Sequence, residues 1–409
     1  MTDNTTTSSL GFRVARVFLP FAIGYFLSYL YRTINAVLGP VLMEDLSLKP
    51  SAIGFLTGTY FLAFAVSQVP LGLAIDRFGP RRTEGYLLIV GACGAGIFAL
   101  SETIVGLSIG RGLIGLGVSG CLVCAFKAFA IWFPKPRLPL VNGCILGVGG
   151  LGAIVASSPF QRLLVEVGWP NLFECLAVAT FISAALILAM VPEKRTVGSP
   201  TTLSAQLSGL LDIGKSPAFW LVTPLITTAQ AAWFSHQALW LGPWLGDVAN
   251  LSPAAAADSL LMGAIGMVAG FVGFGVLAER LGHKGVNTST VAASGTALFV
   301  IVQVLIAFPV GIAPWILCFG FGFFGGAISL FYADLTQQFP LAVTGRVPTT
   351  AALLAFLGGF ALNVVTGLIL DRWPGLPGYQ LAFGGAVALQ LLAFVWFGFH
   401  LVRNRRLRG

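Results

Sequence analysis

The sequence predicts an all-α membrane protein of twelve transmembrane helices, arranged as two pseudo-symmetric six-helix bundles. Three observations carry this prediction. The composition is strongly apolar, apolar runs of membrane length recur along nearly the whole chain, and a charged turn appears twice about half the chain length apart.

The composition places most of the 409 residues in lipid, since 56% are hydrophobic and 9% charged, with a mean hydropathy of +0.89. Soluble domains carry roughly 25% charged residues. The 51 glycines fit this setting, because small residues let membrane helices approach closely. The six cysteines lie in apolar segments and predict no disulfide framework, and the Cys121-x-x-Cys124 spacing is interpreted as packing.

Twelve spans follow from the apolar runs, each long enough to cross a bilayer core. Backbone groups in lipid must be satisfied internally, so the runs are expected to be helices. The predicted spans are residues 15–43, 51–76, 83–101, 104–133, 138–167, 170–191, 216–246, 253–279, 286–308, 312–338, 345–370 and 377–402. The polar stretch 192–215 divides the chain into an N-terminal bundle, 1–191, and a C-terminal bundle, 216–409.

The repeated turn follows the pattern Gly-x-x-x-[Asp/Glu]-Arg-x-Gly-x-[Arg/Lys]. The first copy holds Gly72, Asp76, Arg77, Gly79 and Arg81, and the second holds Gly275, Glu279, Arg280, Gly282 and Lys284. The closing glycines, Gly79 and Gly282, are expected to allow a tight turn. The acidic residues lie at helix ends, where they can pair with arginines or cap a neighbouring helix. The alternative is that the arginines of the turn form no such contacts and only anchor the loop at the membrane surface.

The basic residues give the expected orientation, because most of the 23 Lys and Arg fall in alternate connections and at the two termini. The positive-inside rule then places both termini in the cytoplasm. The chain is expected in a bacterial inner membrane. The net charge of +8 is dispersed over short loops, so no nucleic-acid partner is expected.

These motifs resemble the major facilitator superfamily over almost the entire chain. The repeated turn is similar to that family's signature after its second and eighth helices, and Arg111-Gly-Leu-Ile-Gly115 is similar to its fourth-helix motif. The resemblance implies a secondary transporter that works by alternating access. It implies a conformational latch formed by Gly72, Asp76, Arg77, Gly79, Arg81, Glu279, Arg280 and Gly282. The family's fifth-helix antiporter pattern is not matched by residues 147–159.

Arg32 lies near the middle of the first span, where a charged side chain costs roughly 2.5–3.5 kcal/mol and should face a cavity or a partner. Tyr25 and Tyr29 share its helix face and Asn35 lies near it, which makes a polar stripe able to hold an anion. The setting of Arg32 also resembles bacterial organic-anion facilitators. A structural ion pair is the alternative.

Other polar residues in the spans complete the predicted site. Arg111 is predicted to help bind the solute, with contact to a bundle partner as the alternative. Lys127 snorkels to the membrane surface or faces the cavity. His236 and Gln237 of the seventh span are predicted to contact the solute, and a packing role is open for His236. The predicted coupling candidates are His236 and Asp334, the latter with a structural alternative.

The leading functional hypothesis is a monomeric transporter of a small, anionic organic solute, with proton coupling as an open option. It contacts the bilayer and the solute, and no cofactor, metal or catalytic residue is expected, because the three histidines are scattered and form no constellation. An exporter of apolar or cationic compounds is the alternative among transporters. A passive channel or a receptor is the alternative from another class.

Overall fold

The computed structural model describes residues 9–193, 203–339 and 346–406, and these residues form helices without a β-strand. The last 13 residues of the linker predicted at 192–215 form a helix. Nearly all of its other residues lie outside the described part of the chain. The helices up to that linker are α1 (Leu10–Arg13), α2 (Leu19–Thr33), α3 (Asn35–Asp45), α4 (Pro50–Ala99), α5 (Ile104–Val118), α6 (Cys121–Trp132), α7 (Leu138–Val155), α8 (Ser158–Val167) and α9 (Trp169–Met190).

Nine further α-helices follow in the described residues. They are α10 (Leu203–Lys215), α11 (Pro217–Ser235), α12 (Leu241–Asp247), α13 (Pro253–Gly282), α14 (Thr288–Ala307), α15 (Pro314–Gly325), α16 (Ile328–Gln337), α17 (Arg346–Arg372) and α18 (Leu376–Arg406). Two π-helical segments, Val14–Phe18 and His236–Trp240, join α1 to α2 and α11 to α12.

The predicted twelve spans agree with these helices. Ten stretches in the described residues are long and apolar enough to cross a membrane. One of them, α4, has 50 residues and comprises two spans, because its backbone turns at Gly79. The continuous helical stretch 217–247 is long enough for a further span. The described residues of this multi-pass membrane protein therefore accommodate the twelve predicted spans.

The helices pack as two compact units that do not coincide with the two sequence halves. One unit holds the described residues of Met1–Ile34 and Leu62–Leu203, and the other holds those of Asn35–Phe61 and Ser204–Gly409. The boundary at Ile34 falls where α2 ends and α3 begins. Residues 35–61, from the first and second spans, therefore pack with the helices that follow the linker.

Glycines make this packing close. A Cβ atom added at Gly242 of α12 would lie 1.6 Å from the carbonyl oxygen of Ala36 on α3. On α3 itself, a Cβ at Gly39 would lie 2.7 Å from Leu239. The backbone N–H of Ser51 also donates to the Asp371 carboxylate, 3.0 Å away, so the end of α17 accepts a bond from the start of α4. Backbone contact of this kind holds residues 35–61 in their unit.

Tight helix packing extends to α13 and α15, as the glycine content predicts. Cβ atoms added at Gly266 and Gly270 would lie 2.3 and 2.1 Å from the carbonyl oxygens of Phe319 and Phe323. On the facing helix, a Cβ at Gly322 would lie 2.0 Å from the carbonyl oxygen of Gly263. The two backbones are therefore in direct contact. In lipid this van der Waals packing drives helix association, because the hydrophobic effect does not act between apolar helices there.

Candidate functional site

Arg32 lies in the last turn of α2 and is 9% exposed. Its guanidinium carbon is 4.8 Å from the centre of the Tyr29 ring and 5.3 Å from that of Phe64 on α4. Cation–π contacts of this kind stabilise a positive charge that has little water around it. The structure therefore holds a buried cation between two aromatic rings, one of which the sequence predicted.

The stripe of tyrosines on α2 packs against glycines of α7. Tyr25 and Tyr29 meet edge to face with ring centres 5.5 Å apart. A Cβ at Gly149 would lie 2.4 Å from the Tyr25 ring and 2.9 Å from the Tyr29 ring. The small residues of α7 thus provide the space that the two rings occupy. They also hold in place the Tyr29 ring, which faces Arg32.

Arg111 on α5 is fully buried and donates from a terminal guanidinium nitrogen to the backbone carbonyl of Tyr31, 3.1 Å away. The hydroxyl of Tyr31 lies 2.9 Å from that of Thr180 on α9, so the three helices are joined by hydrogen bonds. This geometry favours the bundle-partner alternative for Arg111.

Asn35, His236 and Gln237 lie in the unit that does not contain Arg32. Asn35 is fully buried at the start of α3 and donates to the Thr57 hydroxyl at 2.8 Å. Gln237 accepts a hydrogen bond from the indole of Trp233, and its amide nitrogen lies 3.3 Å from the sulfur of Met267.

His236 is the first residue of the π-helical segment and is buried. Its ring centre lies 4.1 Å from that of Phe383 and 6.0 Å from that of Phe321. π-Helical turns are rare and often mark functional sites. Asp334, the other coupling candidate, accepts a hydrogen bond from Gln338 one turn away, at 3.0 Å.

The first copy of the repeated turn forms a cluster of charges. Asp76 lies 3.6 Å from the ammonium of Lys127, and Arg82 lies 2.8 Å from Glu193. Arg81 donates to the carbonyl of Leu188, at the end of α9, and approaches Glu193 at 3.9 Å. A cavity of about 350 Å³ is lined by Asp76, Arg77, Gly79, Arg81, Arg82 and Glu193. Because the pairs are part-exposed, each contributes at most about 1 kcal/mol.

The two copies of the turn differ in backbone geometry. Gly79 has φ 78° and ψ 165°, a conformation essentially restricted to glycine, as the sequence predicts. In the second copy the positive φ is at Gly285 (81°), whereas Gly282 is the last residue of α13. The expected tight turn at Gly282 is therefore displaced by three residues, because the helix continues through Glu279 and Arg280.

A substitution pair tests this difference. Gly79→Ala is expected to lower the free energy of unfolding by about 1–3 kcal/mol, because Ala strains the turn conformation. Gly282→Ala should be neutral or stabilising by up to about 1 kcal/mol, since it replaces a helical glycine with open space around it. Thermal unfolding of the two purified variants measures the contrast, and equal loss in both would contradict it.

Sequence reasoning missed Glu84, a fully buried carboxylate on α4. In the structure its carboxylate lies close to the thiols of Cys121 and Cys124 on α6. The spacing of these cysteines on one helix face does not point to Glu84, so the sequence offered no signal for its burial.

Twelve membrane-length helices, with buried charges in their interior, define a multi-pass membrane transporter. The sequence matches the Major Facilitator Superfamily over residues 21–362. The chain belongs to this family, as its motifs predicted.

Sequence relatives include proteins of several transport functions. A hexuronate transporter of Bacillus subtilis (strain 168) is 24% identical over 91% of both chains. A probable sulfoacetate transporter of Cupriavidus necator is 23% identical over 85% of both chains. A tetracenomycin C resistance and export protein of Streptomyces glaucescens is 27% identical over 91% of this chain and 62% of its own length.

A solved structure shares the fold. A point mutant of the nucleoside transporter NupG superposes with a TM-score of 0.76 at 13% identity, over 93% of this chain and 99% of its own. At this identity the likeness establishes the architecture alone.

Proposed function

We propose that the protein is a secondary transporter that carries a small organic anion with a carboxylate group across a bacterial inner membrane by alternating access. The observation that carries the proposal is Arg32, a cation that is 9% exposed and lies between the rings of Tyr29 and Phe64. In this proposal Arg32 binds the anion and Tyr29 positions the guanidinium.

The chemistry of a guanidinium suits this role. Its contacts with aromatic rings use the faces of the planar group, whereas its N–H donors lie in the plane and match the two oxygens of a carboxylate.

The relatives support an anionic solute. The named solutes of two relatives, hexuronate and sulfoacetate, are anions that carry a carboxylate. The same two relatives match this chain over 85% or more of their length, so the likeness is not confined to a single motif.

The other predicted site residues take roles that their contacts suggest. Asn35, His236 and Gln237 also contact the solute, and His236 and Asp334 remain the coupling candidates. Arg111 positions α2 through the Tyr31 carbonyl. We further propose that the charged turns act as the conformational latch and that transport involves rocking of the two six-helix bundles, 1–191 and 216–409. The protein is proposed to be a monomer with both termini in the cytoplasm.

A thermal-shift screen of the purified protein tests the proposal. Hexuronates, other sugar acids, sulfoacetate, phosphate and nitrate are added separately, with the neutral hexoses as matched controls. A carboxylate at 100 times its dissociation constant stabilises the native state by about 2.7 kcal/mol. We expect a shift with at least one carboxylate and none with its neutral analogue. Equal shifts with both, or shifts with apolar drugs alone, would contradict the proposal.

Export of an apolar or cationic compound is the second candidate. The buried carboxylate of Glu84 is a group that such an exporter would use, and one relative is a resistance and export protein. Expression in a sensitive host distinguishes the candidates, since an exporter raises resistance to apolar or cationic drugs and an anion importer does not.

A further inference from the structure

An apolar groove of about 440 Å³ lies between the two halves of α4, on either side of the turn at Gly79. Before the turn, Leu71, Ala74 and Phe78 line it at the spacing of one helix face. After the turn, the second half of α4 contributes four residues, and α5 closes one side through Leu116. All of these residues belong to one packing unit, so the groove is a feature of that unit alone.

The groove has the length of one leaflet of a bilayer. From Ser67 to Phe78 its lining advances 11 residues along a helix, which is about 16 Å at 1.5 Å per residue. Half of a hydrocarbon core is about 15 Å thick. Because the lining is almost wholly apolar, the groove suits a single acyl chain and offers little to a hydrophilic solute.

Two aromatic residues flank the groove and leave it open to the surroundings. Phe78 is 53% exposed and Tyr86 is 61% exposed, and both line the groove. Aromatic rings of this kind are common where a span meets the head groups of the bilayer. An acyl chain can therefore enter the groove between these rings.

The end of the groove nearest the turn holds a buried hydroxyl group. Thr83 lines the groove and is 6% exposed. Among the residues that the structure describes, its hydroxyl oxygen has no hydrogen-bond partner. A buried hydroxyl without a partner costs free energy, so this end of the groove favours a ligand that brings an acceptor. The ester carbonyl at the head of an acyl chain is such an acceptor.

The groove also adjoins the charged cavity of the first turn, because Phe78 lines both. Three arginines, at positions 77, 81 and 82, and two carboxylates, Asp76 and Glu193, line that cavity and give it a net charge of +1. A ligand with an apolar chain and an anionic head therefore finds a matching surface for each part.

Arg77 is the cation best placed to bind such a head. Asp76 forms its ion pair with Lys127, and Glu193 is occupied by Arg82, whereas no described carboxylate forms an ion pair with Arg77. Its guanidinium carbon lies 5.3 Å from the centre of the Phe78 ring, at the mouth of the groove. The planar fork of a guanidinium matches two oxygens of a phosphate.

We infer that the groove and the charged turn together bind one anionic phospholipid from the surrounding bilayer. One acyl chain fills the groove, Thr83 donates a hydrogen bond to its ester carbonyl, and Arg77 binds the phosphate. Basic pockets between membrane helices bind anionic head groups for the same electrostatic reason. The bound lipid joins the second, third and fourth spans at the turn, whichever solute the protein carries.

Native mass spectrometry of the delipidated full-length protein in detergent tests this inference. Phosphatidylglycerol is titrated in, with phosphatidylcholine of the same acyl chains as the matched zwitterionic control. We expect one tight phosphatidylglycerol adduct, with an affinity at least tenfold higher than that of phosphatidylcholine. Equal affinity for the two lipids would overturn the proposal.

Three variants separate the parts of the site. Ala74→Phe fills the groove and should weaken phosphatidylglycerol binding at least tenfold. Arg77→Gln removes the phosphate contact and should weaken it about tenfold, and Thr83→Val should weaken it about threefold. Two control variants, Ile97→Phe near the far end of α4 and Arg162→Gln on α8, change exposed residues outside the site and should bind as the wild type does.

Undiminished binding in both Ala74→Phe and Arg77→Gln would overturn the proposal. If Ala74→Phe does not fold, Arg77→Gln decides alone, because Arg77 is exposed at the surface. Displacement of the lipid by equimolar palmitate would assign the groove to a free fatty acid, and displacement by hexuronate would assign it to the solute, and either result would overturn the proposal. The measurement needs no transport, so failure of the proposed transport function would leave this inference standing.

Discussion

Arg32→Ala is expected to abolish uptake of the organic anion and the thermal shift that the anion produces. The substitution removes the guanidinium that lies between Tyr29 and Phe64. Charge-assisted hydrogen bonds contribute about 1.5–3 kcal/mol each, so loss of a bidentate pair should weaken binding at least 100-fold. Uptake into proteoliposomes and the ligand-induced thermal shift measure the effect.

Two further variants isolate the cause. Arg32→Lys keeps the charge but loses the planar fork, so it should bind the anion with intermediate affinity. Arg162→Ala removes an exposed arginine of α8 and should leave transport unchanged. Retained uptake in Arg32→Ala, with normal folding, would remove Arg32 from the solute site.

Gly242→Ala is expected to have the largest effect on the backbone. Its Cβ would lie 1.6 Å from the carbonyl oxygen of Ala36, so α3 and α12 could no longer approach as they do. Overpacking of this kind typically costs about 1–3 kcal/mol, and here a main-chain atom must move. We expect a lower thermal unfolding temperature and loss of transport, because residues 35–61 would no longer pack in their unit.

The control for this prediction lies on the same helix. Gly246 of α12 has open space where its Cβ would be, so Gly246→Ala should preserve both stability and transport. Equal stability of the two alanine variants would show that the close approach of α3 and α12 is not required.

The fold was largely predictable from the sequence, and particular residues explain why. Lipid forces backbone groups into helices, so apolar runs define spans directly. The glycine pattern predicted the turn at Gly79, since few other residues adopt its backbone angles. The displaced turn of the second copy was not predictable, because Gly282 and Gly285 are both glycines and helix continuation decides between them.

The site was less predictable, for a different reason. Arg32 was identified because an arginine in an apolar run is costly and rare. Its contact with Phe64 depends on the packing of α2 against α4, and the chain in between gives no sign of it. Glu84 was overlooked because its neighbours in sequence are arginines, whereas its neighbours in space are cysteines of α6.

Counterflow tests the central claim, carrier-mediated transport of an organic anion, most directly. Proteoliposomes are loaded with unlabelled hexuronate, and entry of external labelled hexuronate is followed over time. The account predicts a transient accumulation of label that saturates with external concentration and disappears in Arg32→Ala. Entry that is linear with concentration and shows no transient would indicate a passive channel and contradict the account.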